Sequence, residues 1–61
     1  MSLNLLVLYE IADRASRVTT KKAYRDFEKW VSHVLSTTRD AAIERAANIQ
    51  LFKLRDMYGA V

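Results

Sequence analysis

The chain has 61 residues with no cysteine and no proline, and its formal net charge is +3. Without cysteine it forms no disulfide bond and no thiolate zinc site, and a single histidine cannot build another metal site without an unusual set of carboxylates. The mild positive excess permits an acidic partner without requiring one. We expect one small domain over residues 1–61, with no metal and no cofactor, near the lower size limit for folding alone.

The longest apolar run, from Leu5 to Tyr9, is far shorter than the ~20 residues that a membrane-spanning helix needs. No basic segment precedes this run and no small-residue cleavage site follows it, whereas a secretory signal has both. We therefore expect no membrane partner and a cytoplasmic location.

Two short runs rich in serine and threonine, at residues 16–20 and 36–38, interrupt an otherwise continuous helical pattern. Apolar residues at helical spacing flank these runs, which predicts helices over about residues 4–16, 20–35 and 38–58. The predicted fold is all-α: a small three-helix bundle, or a helical hairpin plus a short third helix. Because a single core in so small a chain rarely supplies more than about 3–5 kcal/mol, we also expect a homo-oligomer.

The first helix has an unusually wide apolar face, and Ser2 or Asn4 can cap its start. At about 100° per residue, its apolar residues cover more than half of the circumference. They are Leu5, Val7, Leu8, Tyr9, Ile11, Ala12 and Ala15. A surface helix needs an apolar stripe only a little wider than about 100°. We therefore expect this helix to pack on two sides, either in the middle of the bundle or with its second face against another chain.

The second helix is expected to begin after Thr19 or Thr20, both of which can cap a helix. One stripe is apolar and is predicted to be buried: Ala23, Phe27, Trp30, Val31 and Val34. The opposite side carries Lys22, Arg25 and Lys29, which makes the outer face of this helix basic.

The third helix is expected to open at Thr37 or Thr38, because Thr37 and Asp40 have capping-box spacing. Gly59 suits a C-terminal stop. The predicted buried stripe consists of Ile43, Ala46, Ala47, Leu51, Leu54, Met57 and Tyr58. Gln50 falls in the centre of this stripe, either as a plain edge residue or as a polar residue that fixes the register of a helix–helix seam.

Ile49 and Phe52 fall outside the buried stripe of the third helix, on the side of Arg45. Apolar residues beside an arginine are typical of an interface hot spot. The alternative is that the bundle covers this side itself, or that a bend rotates the register. With part of the apolar face of the first helix, the predicted protein interface is Val7, Ile11, Arg45, Ile49 and Phe52.

Basic residues concentrate around the first connection and the outer face of the second helix. They are Arg14, Arg17, Lys21, Lys22, Arg25 and Lys29. Such a set can contact several phosphates of a nucleic acid, or an acidic protein. The alternative is a solvated face that Asp13, Asp26 and Glu28 partly neutralise.

Catalysis is not expected, because the residues for it are poorly placed. Ser32 adjoins His33, and neighbouring side chains on a helix do not face each other. Asp26 lies about two turns from His33, beyond direct reach. No glycine-rich phosphate loop is present.

The sequence therefore predicts a non-catalytic interaction or regulatory protein that binds another protein. The alternatives are a small DNA- or RNA-binding regulator and a structural subunit whose only role is to assemble.

Overall fold

The computed structural model describes residues 3–59 and contains three α-helices in an all-α bundle. They are α1 at Leu3–Ser16, α2 at Lys21–Thr37 and α3 at Ala41–Leu54, and a π-helical turn at Arg55–Gly59 continues α3. No strand occurs within residues 3–59. Because α1 and α3 have 14 residues each, the fold is a three-helix bundle rather than a hairpin with a short third helix.

Thr20 caps the start of α2, as one of the two residues expected there. Its backbone is extended, and its hydroxyl oxygen accepts a hydrogen bond from the Ala23 amide at 3.0 Å. Val18, in the connection before it, is only 7% exposed. The connection between α1 and α2 is therefore anchored in the core as well as capped.

Asp40 caps α3, so the predicted start at Thr37 or Thr38 is wrong. The Oδ1 atom of Asp40 accepts hydrogen bonds from the amides of Ala42 at 2.8 Å and Ile43 at 3.2 Å. Thr37 is instead the last residue of α2, and its hydroxyl donates to carbonyl oxygens of the preceding turn. A threonine hydroxyl can hydrogen-bond to a carbonyl oxygen of its own helix in this way. The amides at the start of α3 are therefore capped by the carboxylate of Asp40.

Asn4 also has a different role from the predicted one. It lies inside α1, which begins at Leu3, and its Nδ2 atom donates to Oδ2 of Asp40 at 2.6 Å. Ser2, the other predicted cap, lies outside the described residues. The bond joins the start of α1 to the start of α3, so these two helices run in the same direction, with α2 antiparallel to both.

The core lies between the three helices, and α1 packs more extensively on α3 than on α2. Its buried apolar residues are Ile11, Ala15, Val18, Tyr24, Phe27, Val31, Ile43, Ala47 and Leu54. Ala15 and Ala47 are small and buried, which lets α1 and α3 approach closely. The apolar stripe predicted for α2 is confirmed, since each of its residues is buried or packs against this core.

The C-terminal end differs from the prediction at two residues. Gly59 was expected to stop the helix. A glycine in this role usually has a left-handed backbone with a positive φ, but no glycine in residues 3–59 has one. A Cβ atom at Gly59 would instead lie 2.8 Å from Cγ of Arg55 and 3.3 Å from the Tyr24 hydroxyl. Met57, predicted to be buried, is 68% exposed, because the wider π-helical turn shifts side chains from their α-helical positions.

Replacing the cap of α3 tests the part played by Asp40. We expect Asp40→Ala to lower the free energy of unfolding by about 1–2 kcal/mol, because two amides and the Asn4 side chain lose their acceptor. Urea unfolding followed by circular dichroism measures the change. Asp40→Asn keeps a capping oxygen and should lose less, while Asp26→Ala on the exposed side of α2 should stay within about 0.5 kcal/mol of the parent. An Asp40→Ala variant with the same free energy of unfolding as the parent would contradict this role.

Candidate interaction surfaces

The broad apolar face of α1 is only partly covered by the rest of the bundle. Ile11 and Ala15 are buried, and Val7 and Leu8 pack against the core. The remainder of the face is open, with Leu5 60% exposed and Tyr9 73% exposed. The second side predicted for α1 therefore has no cover from residues 3–59.

Two of the residues predicted for a protein interface belong to the core. Ile11 is 1% exposed, and Val7 is half-buried against the core cluster. Neither offers a free surface, so the exposed apolar part of α1 is carried by Leu5 and Tyr9 instead. The hydrophobic pattern alone missed this distinction, because all four residues lie within one continuous apolar arc.

The outward side of α3 carries the other three predicted interface residues, and all three are exposed. Phe52 is 71% exposed and Ile49 is 48% exposed, and Arg45, about one turn before Ile49, is also exposed. Gln50 is half-buried, which fits an edge residue. We call this side the outer face of α3; its shallow concavity is lined only by residues of this helix: Ala41, Glu44, Arg45, Asn48, Ile49, Phe52 and Lys53.

Two contacts establish on which side of α1 and α3 the second helix lies. The Cζ atom of Arg14 lies 4.3 Å from the centre of the Trp30 ring, so α2 lies on the Arg14 side of α1. Arg55 lines one pocket with Tyr24 and Arg25 of α2, so α2 lies on the Arg55 side of the C-terminal turn. The opposite sides of α1 and α3 are therefore turned away from α2.

Three of the exposed apolar residues, Leu5, Tyr9 and Ile49, lie on these opposite sides. At about 100° per residue, Leu5 lies across α1 from Arg14, with Tyr9 one turn further along. By the same count, Ile49 lies about 120° around α3 from Arg55. Leu5, Tyr9 and Ile49 therefore border one outer seam between α1 and α3, next to the outer face of α3.

The six basic residues predicted to bind an acidic partner are all exposed, but two of them already have partners in the chain. Arg14 forms an ion pair with Glu10 at 2.9 Å and stacks over Trp30. Arg17 forms an ion pair with Asp13 at 3.3 Å. These two arginines stabilise the first hairpin, and they are less available to a phosphate than the sequence suggested.

The other four basic residues, Lys21, Lys22, Arg25 and Lys29, lie on the outward side of α2. The ion pairs that the structure records within residues 3–59 involve none of them. Glu28, which was expected to neutralise them in part, accepts a hydrogen bond from the Tyr24 hydroxyl at 3.3 Å. The outward side of α2 therefore carries a strip of exposed basic residues, and Glu28, which lines one pocket with Lys21 and Arg25, still offsets part of its charge.

Arg55 adds a cation at the end of this strip that the sequence did not predict. Its side chain shares a small pocket with Lys21 and Arg25. The neighbouring Tyr24 side chain raises the pKa of the Arg55 guanidinium, a group that is charged at physiological pH in any case. Nothing in the local sequence signals this meeting, since the close approach at the π-helical turn creates it.

Among residues 3–59 no three His, Asp or Glu side chains come together as metal ligands would. None of the helices in this range is long and apolar enough to cross a membrane. Comparison of the chain with protein-family models, with curated proteins and with solved structures found no significant match.

The two arginines with partners can be compared directly. We expect Arg14→Gln to lower the free energy of unfolding by about 1 kcal/mol, because it removes both an ion pair and the stacking on Trp30. Arg17→Gln removes only an exposed ion pair and should cost less than about 0.5 kcal/mol. Urea unfolding followed by Trp30 fluorescence measures both variants. Equal losses would show that the stacking adds nothing to stability.

Proposed function

We propose that this chain is a small non-catalytic interaction or regulatory protein that binds another protein in the cytoplasm. The observation that carries the proposal is the amount of large apolar side chain left in solvent by so small a bundle. The residues concerned, each 48–73% exposed, are Leu5, Leu6, Tyr9, Ile49, Phe52 and Met57. Single exposed apolar residues are ordinary, but three of these, Leu5, Tyr9 and Ile49, border one seam beside Phe52, and such a group indicates a binding surface.

The composition of this surface supports the proposal. Tyr9 and Phe52 are the most exposed of its residues, and aromatic residues are enriched at the cores of protein interfaces. Complete burial of a side chain such as Phe52 contributes about 1.5–3 kcal/mol. Arg45 and Lys53 border Phe52 and supply the polar rim that surrounds such anchors. The positive side of α2 would favour a partner with an acidic surface.

Substitution of Phe52 tests this function. Because Phe52 is 71% exposed, we expect Phe52→Glu to keep the helical circular dichroism and the stability of the parent while it removes partner binding. Capture of partners from native extract on the tagged chain, with and without nuclease, is the measurement. Phe52→Ser removes the ring without adding a charge, and it should lose the same partners. If Phe52→Glu retains every partner of the parent, the proposed surface is wrong.

A second candidate function is binding of DNA or RNA through the outward side of α2. The observation that favours it is the strip of four basic residues without ion pairs in residues 3–59, extended by Arg55. Lysine and arginine side chains on one side of a helix can follow a phosphate backbone. The support is weaker than for the apolar surface, because the net charge of the chain is only +3.

Salt dependence distinguishes this second function. If it is correct, the parent binds labelled DNA at low salt, and its binding constant falls as the salt concentration rises. In the double variant Lys22→Gln/Lys29→Gln, the slope of log binding constant against log salt concentration should be smaller, by roughly 0.9 for each of the two lost phosphate contacts. The double variant Arg45→Gln/Lys53→Gln removes the same charge from α3 and should keep the parent slope. Absence of salt-dependent binding by the parent, or equal effects of the two double variants, would exclude the candidate.

A further inference from the structure

We propose that the outer face of α3 binds the same face of a second copy of this chain, with the two helices antiparallel. The two-fold axis would pass beside Asn48 and Ile49. The inference rests on the proposed function, since it names a partner for the same surface.

The outer face of α3 is accessible to another helix along its whole length. Ala41, Arg45 and Phe52 lie in one row along it, and Asn48 and Ile49 lie on either side of that row. No residue of α1 or α2 lines its concavity. A second helix can therefore approach this row without displacing any part of the bundle.

When two copies of this row lie antiparallel, the side chains of one copy complement those of the other. Arg45 and Phe52 are separated by about two helical turns, roughly 10 Å, on opposite sides of the proposed axis. An antiparallel pair therefore brings Arg45 of each copy over Phe52 of the other. Within one chain, Arg14 already makes this kind of contact with Trp30, at 4.3 Å. A guanidinium group over an aromatic ring is attractive on electrostatic grounds.

The charged residues near the two ends of the outer face of α3 also favour an antiparallel orientation of the two helices. In the antiparallel pair Asp56 comes beside Ala41 of the second copy, at the positive N-terminus of its α3. Glu44 and Arg55 lie on one edge of α3, so Glu44 approaches Arg55 of the other copy. A parallel pair would instead place Arg45 against Arg45 and Glu44 against Glu44. Charge complementarity therefore favours the antiparallel pair.

The size of the face sets the expected strength of the dimer. The described chain exposes 4705 Å² in total, and a standard stable interface buries about 800 Å² of each partner. One helix face offers less than that area. We therefore expect a dimer that forms and dissociates with concentration, while Leu5 and Tyr9 on α1 stay exposed beside it.

Engineered cysteines can test the register, because the natural chain has no cysteine. A disulfide forms only where the two Cα atoms come within about 7 Å of each other. In the proposed pair, Asn48→Cys lies beside the axis and should give a disulfide-linked dimer under mild oxidation. Ala41→Cys lies on the same face but roughly 20 Å from its copy along the helix, so it should form no disulfide-linked dimer. Equal cross-linking of both variants, or cross-linking of Ala41→Cys alone, would overturn the antiparallel register.

Sedimentation equilibrium over rising concentration tests the dimer itself. The parent should show a monomer–dimer equilibrium, and Phe52→Glu should be monomeric with unchanged circular dichroism; Phe52→Ser provides the same test without a new charge. A parent that is monomeric up to about 1 mM, or Phe52 variants that dimerise like the parent, would overturn the proposal. Capture of another protein that depends on Phe52 is a separate result, so the proposed function can survive the loss of the dimer.

Discussion

The carboxylate of Asp40 accepts the first free amides of α3 and, through its other oxygen, the side chain of Asn4 at the start of α1. One residue therefore determines both where α3 begins and which part of α1 lies beside it. Because α1 and α3 also pack along each other, this pairing of their starts means that they run in the same direction, and α2 runs antiparallel to both. Because the two starts lie side by side, Ile11 and Ala47 can meet in a common core.

The same arrangement leaves part of α1 without cover. Three helices of this length enclose one narrow core, and α1 turns only one side of its apolar arc toward it. Leu5 and Tyr9 remain on the other side, and Phe52 remains on the outer face of α3. A chain with more residues could cover these side chains with another helix, whereas this bundle leaves them in contact with water or with a partner.

Hydrophobic spacing was sufficient to predict the number of helices and the all-α fold. It placed Ile49 and Phe52 outside the buried stripe of the third helix, but it left open whether the bundle itself covers them. It could not choose the cap of α3, because Thr37, Thr38 and Asp40 are all residue types that cap helices and the choice depends on Asn4, far away in sequence. It could not separate Val7 and Ile11 from Leu5 and Tyr9, because the buried side of a wide apolar arc depends on where the neighbouring helices lie. Met57 escaped prediction because the π-helical turn moves its side chain out of α-helical register. The position of Arg55 escaped prediction because its neighbours Lys21 and Arg25 lie on another helix.

The extensive packing of α1 on α3 has a consequence for how the chain acquires its structure during synthesis. The ribosome makes α1 before α3, and α1 alone is a 14-residue helix of a length that is marginal in water. Its main packing partner is absent until residues 41–54 have emerged. The nascent chain therefore carries an apolar helix that cannot yet bury Ile11, and folding is completed only after translation has reached α3.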